Sequence, residues 1–170
     1  FNLLVGFLVA FGSVKSPTSS EYYSFEDGWT AVENFTFPDL DSPNACSVEL
    51  SDTLTFIILE GQNYSSPVFA FDWSRKEIPA MKWNKMKPLK NARFGHGCAK
   101  LNGEIYVVGG MNESGVVKST EIFNPVYNEW VEGPALPFGW FFGHMIALKS
   151  KLIILGGLTE AYETQNSILE

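Results

Sequence analysis

The stretch "HGCAKLNGEIYVVGG", residues 96–110, decides the fold, because its apolar run stops on two glycines. Residues 144–157, "HMIALKSKLIILGG", repeat it. A strand that ends on residues tolerant of positive φ, and that recurs along one chain, signals a repeat architecture. Three anchors carry the repetition. Apolar runs end in glycine at Leu3-Leu4-Val5-Gly6, Ile57-Ile58-Leu59-Glu60-Gly61, Val107-Val108-Gly109-Gly110 and Ile154-Leu155-Gly156-Gly157. A tryptophan follows some twenty residues on, at Trp29, Trp83 and Trp130, and a proline soon after each, at Pro38, Pro88 and Pro137. The glycine anchors are 55, 49 and 47 residues apart and the tryptophans 54 and 47. Two independent series with matching gaps set a unit of about fifty residues.

Between the anchors the sequence reads as short strands. "EIYVVGG" is a buried strand with a glycine stop. "STEIFNPVYNEWVEG" (119–133) is a hairpin around an Asn/Pro turn, and "EYYSFEDGWTAVE" (21–33) repeats it around Asp-Gly. "PVFAFDWSRKEIPAMKW" (67–83) does so with a longer charged loop. No stretch sustains a 3.6-residue period, so the expected class is all-β.

A unit of four short strands, with Gly-Gly after the second and Trp in the fourth, resembles the kelch repeat of β-propellers. The residues that carry the resemblance are "ARFGHGCAKLNGEIYVVGG" (92–110) and "STEIFNPVYNEWVEGPALP" (119–137): Arg93, His96, Gly109, Gly110, Glu121, Phe123 and Trp130. The flanking units are worn. Glu60 replaces the first glycine of the second unit, and Phe141 is read at the place of Arg93 in the last, with Phe142 aligned to Phe94 and His144 to His96. The resemblance implies a partial blade (strands 2–4) over 1–41, a degenerate blade over 42–91, a well-matched blade over 92–139 and the start of another over 140–170. That makes about three four-stranded blades, fewer than the roughly four to eight that close a ring. The expected object is therefore an incomplete ring, its remaining blades supplied by the same longer chain or by another copy. Trp29, Trp83 and Trp130 are expected to fill the space between blades. The glycine pairs Gly109-Gly110 and Gly156-Gly157 are expected to let neighbouring blades approach.

Composition narrows the function. The 170 residues are 45% hydrophobic and 15% aromatic, enough for a real core. A net charge of −7, from 12 Lys+Arg against 19 Asp+Glu, offers no excess positive field to phosphates and argues against nucleic acid. The one basic run, Arg75 to Arg93, reads as a solvated blade edge. The N-terminal "FNLLVGFLVAFG" has the length of a signal-peptide core but no initiator Met, basic n-region or small-x-small cleavage site, and it is too short to span a bilayer. It reads better as a worn copy of "IYVVGG". Cys46 and Cys98 have no metal or redox spacing; two buried thiols are expected, a disulfide requiring Cα atoms within roughly 7 Å.

No catalytic constellation, cofactor loop or metal-ligand spacing appears, which leans the reading away from an enzyme. His96 and His144 are explained by the repetition itself. Asp39-Asp41 and Glu160-Glu163 are carboxylate pairs in sequence only. The resemblance does include a propeller branch that holds copper and oxidises sugars or alcohols with Tyr, His and Cys ligands, but no such set assembles here. What it otherwise implies is a protein-interaction scaffold that recognises a protein partner through rim loops. The partner-binding candidates are Trp140, Phe141 and Arg93, in or aligned with the linker "PFGWFFGH" (137–144). The alternative is a fragment of a secreted propeller oxidase or carbohydrate-binding protein. Three N-x-S/T sequons, at Asn34, Asn63 and Asn112, are glycosylation candidates and lean the chain toward a secretory setting, with the cytoplasm as the alternative; turn chemistry also explains them.

Overall fold

A computed structural model describes residues 7–10, 20–24, 28–32, 45–51, 54–59, 66–72 and 82–165. Seventeen strands and no helix occur among them, so none of these residues forms a helix long and apolar enough to cross a membrane. The strands fall into successive antiparallel sheets. The first holds β1 (Phe7–Ala10), β2 (Ser20–Ser24) and β3 (Gly28–Val32), in that order. The second runs β4 (Ala45–Ser51), β5 (Leu54–Leu59), β6 (Val68–Asp72), β7 (Lys82–Met86). The third runs β8 (Gly97–Leu101), β9 (Glu104–Val108), β12 (Thr120–Asn124), β13 (Glu129–Gly133). The last is the hairpin β15 (His144–Leu148) and β16 (Lys151–Leu155). Two-residue ribbons complete the set: β10 (Met111–Asn112) with β11 (Gly115–Val116), and β14 (Trp140–Phe141) with β17 (Leu158–Thr159).

This is the all-β, blade-by-blade organisation of a kelch-type propeller, and the ring is not closed. Each tryptophan anchor lies in the outer strand of its sheet, in register with an aromatic residue one strand further in: Trp29 with Tyr23, Trp83 with Phe71 and Trp130 with Phe123. The Phe123 and Trp130 rings lie 4.9 Å apart. The N-terminal run Leu3-Leu4-Val5-Gly6 lies outside the described residues.

Two apolar clusters fill the spaces between sheets. Val48, Ile58, Val68 and Ala70 of the second sheet meet Cys98, Ile105, Val107, Phe123 and Trp130 of the third. On the third sheet's other side, Ala99 and Val108 meet Trp140, Met145 and Ile154. Strand alternation makes this two-sided use: along β8 and β9, successive side chains go to opposite neighbours. The linkers are tied into the same seams. Leu89 is buried in the first cluster, and Trp130 Nε1 donates to Lys87 O at 2.8 Å. The basic run includes the exposed Lys85, Lys87 and Lys90, on or just after the outer strand β7, with Lys87 paired to Glu129 at 3.2 Å.

The cysteines are a correction. Cys46 and Cys98 form a disulfide, with Cα atoms 6.0 Å apart. Each is the second residue of the innermost strand of its sheet, β4 and β8, which lie side by side. Cys46 shares a strand face with Val48 and Leu50, toward the third sheet, whereas Cys98 points back into the same cluster. The spacing looked inert because the partner lies a whole blade away in sequence.

Candidate functional site

In the third and last units the linker that enters the blade pairs with the loop that follows Gly-Gly, Phe94 with Met111 and Phe141 with Leu158, and these segments form a rim. Its third-sheet portion is built on a buried ion pair. Arg93 and Glu121 have fully buried side chains and meet at 2.9 Å. Every guanidinium donor is used: Nε to Asn91 O, Nη1 to Gly109 O and Ser119 O, and Nη2 to Ser119 Oγ and Glu121 Oε1. The Glu121 carboxylate also accepts the backbone N–H groups of Lys90 and Asn91, at 2.8 and 3.0 Å. Burial pulls the Arg93 pKa below the usual guanidinium value and Glu121 opposes that pull. Ser66 closes the set, accepting Arg93 N–H at 2.8 Å and donating to Arg93 O at 3.0 Å. Arg93 thus ties linker, inner strands and outer strands of one blade together, and it has no donor left for a partner.

The last unit solves the same problem differently. A 47-residue step carries Gly109-Gly110 onto Gly156-Gly157. The same step carries the Phe94–Met111 bridge onto the Phe141–Leu158 pairing. Trp140, not Phe141, therefore stands at the position of Arg93; Phe142 matches Gly95, and His144 matches Gly97 rather than His96. The contacts agree. Trp140 Nε1 donates to Gly156 O at 2.8 Å, as Arg93 Nη1 donates to Gly109 O at 3.1 Å. The alignment by "FGH" misses this because the one-residue offset is invisible until the hairpins are paired.

Trp140 is wholly buried, and Phe141 retains 2% exposure. Glycines make the space for the indole. A Cβ at Gly109 would strike the Trp140 carbonyl oxygen, and one at Gly97 would come within 2.7 Å of its ring. Gly109 also has φ +64°, so the expected close approach of neighbouring units is what the glycine serves.

Trp140, Phe141 and Arg93, expected to meet a partner, are thus the floor of the rim, a correction that follows from their burial. The exposed aromatics are their neighbours: Phe94 at 39%, Phe142 at 53% and Tyr162 at 65%. They form a chain of ring contacts, Phe94–Phe142 at 6.2 Å, Phe142–Phe141 at 5.1 Å and Phe141–Tyr162 at 5.6 Å edge-on. Sequence reading passed over Tyr162. Its signal was a bulky aromatic in the short turn that follows a Gly-Gly.

Beside Phe142 a cavity of about 590 Å³ opens where the innermost strands begin. It is lined by Cys46, Cys98, His96, His144 and Met145 among others. His96 is buried, and among the described residues neither ring nitrogen has a hydrogen-bond partner. Burial first, then the Arg93 charge, pull its pKa down to about 4, so the ring is neutral at pH 7. Among the described residues no three His, Cys, Asp or Glu side chains stand together as metal ligands. With both cysteines bonded to each other, this donor set does not fit a copper centre.

Of the sequons, Asn34 and Asn63 lie outside the described residues, as do Asp39 and Asp41. Asn112 Oδ1 accepts Ser114 N–H at 2.9 Å, the turn chemistry expected of it. Glu160 pairs with Lys118 at 3.1 Å and accepts the Gly139 N–H.

Comparison with known proteins agrees with this architecture. The family profile described as the kelch motif matches residues 92–137. Human Kelch-like protein 13 is 30% identical over 118 residues, covering 66% of this chain and 18% of that protein. Kelch-like protein 25 of Xenopus laevis is 30% identical over 132 residues, covering 70% and 22%. The chain thus spans about a fifth of the length of these relatives. Among solved structures, YjhT superposes with a TM-score of 0.73 at 16% identity, over 89% of this chain and 48% of that one. A fungal alcohol oxidase in complex with copper gives 0.68 at 17%, over 91% and 34%. At such identities the likeness is one of fold.

Proposed function

Because this chain belongs to the kelch-repeat family, we propose that it serves as a protein-interaction segment of a propeller, engaging a partner protein through the rim of linkers and post-Gly-Gly loops. The observation that carries this reading is the exposed aromatic chain Phe94, Phe142 and Tyr162, linked through Phe141, which is 2% exposed. Large rings on a rigid base lose little side-chain freedom on binding and give high contact area, which is what interface hot spots require. Loops held on a stiff scaffold are also where recognition concentrates.

A photo-crosslinking residue placed at 142 in the intact protein, in its native cell, tests the reading. A discrete protein adduct is expected from position 142 and none from position 149, in the β15–β16 turn at the other end of that hairpin. Equal adducts from both positions, or none from 142, would sink it.

A further inference from the structure

Two of the rim aromatics are held in a backbone conformation that aromatic residues avoid. Among the described non-glycine residues, five have positive φ: Asn102, Asn128, Lys149, Phe142 and Tyr162. The first three sit in the tight turns of hairpins, where Asn in particular tolerates the left-handed region. Phe142 at φ +54° and Tyr162 at φ +58° are different, because a bulky side chain there is an outlier. Phe142 even replaces a glycine, Gly95, which has φ +63° in the preceding unit. A persistent outlier of this kind points to a use for the side chain it displays. Both rings touch Phe141 and both face solvent.

The unpaired charge around them has one sign. In rim segments 92–96, 109–119, 138–143 and 156–165 the cations are Arg93, buried against Glu121, and Lys118, paired with Glu160. Glu113, at the tip of the β10–β11 ribbon, and Glu163, beside Tyr162, are exposed and have no ion-pair partner among the described residues. The ribbon adjoins the last unit, since Val116 lies against Gly139. Two exposed rings on a rim whose unpaired charges are carboxylates complement a planar cation. Ring quadrupoles attract a guanidinium laid on them, and the carboxylates accept its N–H groups.

We infer that the segment this rim takes from its partner is basic, an extended peptide stretch whose arginine lies on Phe142 and Tyr162 and reaches Glu113 or Glu163. This rests on the rim-recognition reading and specifies the partner's chemistry.

The probe is a random twelve-residue peptide library displayed on phage, selected against the intact protein. Arginine is expected to be enriched, and an enriched peptide is then measured by fluorescence anisotropy beside its Arg→Gln counterpart. Phe142→Gly, which installs the residue of the preceding unit at a φ it favours, should keep the wild-type melt and weaken binding roughly five-fold. Glu113→Gln with Glu163→Gln should weaken it roughly two- to four-fold and flatten its salt dependence. Neutral or acidic peptides whose binding still needs Phe142 would overturn the basic assignment and leave rim recognition standing. Selected peptides indifferent to both Phe142→Gly and Tyr162→Gly would overturn both. A library that yields no binder overturns the linear basic segment, and the crosslink at 142 then decides the rim on its own.

Discussion

Replacing Arg93 with Met tests whether the rim is held from beneath by one ion pair. The substitution keeps an apolar stem of similar length but removes donors to Asn91 O, Gly109 O, Ser119 O, Ser119 Oγ and Glu121 Oε1. Ser119 O keeps only the Gly109 N–H, at 3.2 Å. Glu121 keeps the two linker amides but becomes a buried charge with no counter-charge. Stranding one partner of a buried pair costs about 3–5 kcal/mol. In a domain of about 150–250 residues a loss of that size lowers the melting temperature by roughly 6–20 °C. The assay is urea and thermal unfolding of the intact protein, followed by tryptophan fluorescence. Adding Glu121→Gln to Arg93→Met removes the stranded charge, so the double variant should be at least about 1 kcal/mol more stable than Arg93→Met alone. If Arg93→Met lies within about 1 kcal/mol of wild type, or the second substitution rescues nothing, the pin does not bear the blade.

Three further outcomes follow from the seams. Cys46→Ser opens a 52-residue loop closed across two blades and should cost about 4 kcal/mol on the chain-entropy estimate; unfolding with and without reductant checks it, and reductant should have no further effect on the variant. His96 has its pKa lowered to about 4 in the folded protein, so the unfolded chain takes up its proton first as pH falls. Its contribution is whole above the unfolded value near 6.5 and is lost on the way down to about 4, up to roughly 3 kcal/mol; stability against pH for His96→Phe should lose that slope. Gly109→Ala combines a disfavoured φ with a contact between Cβ and the Trp140 carbonyl, and should destabilise by about 2–4 kcal/mol in a urea titration, whereas Gly103→Ala, with open space at its Cβ, should cost only about 1 kcal/mol for its φ.

Much of the architecture was legible because the anchors are local. Gly-Gly needs positive φ wherever it ends a strand, and Trp opposite an aromatic needs one hairpin register. What stayed hidden depends on pairs distant in the chain. Cys46 and Cys98 meet only because β4 and β8 are neighbours around the ring axis. The register of the last unit, and with it the equivalence of Trp140 to Arg93, emerges only when hairpins replace residue identity as the ruler.

That equivalence explains why the rim is asymmetric. An arginine is tolerable inside the third sheet because Glu121 is there to neutralise it. At position 140 the side chain sits among Ala99, Val108, Met145 and Ile154, where an indole needs one acceptor, Gly156 O, and fills the remaining volume with apolar contact. On this reasoning Trp140→Arg should destabilise more than Trp140→Phe, because it puts a charge into an apolar seam, whereas the phenyl ring forfeits one hydrogen bond and some packing.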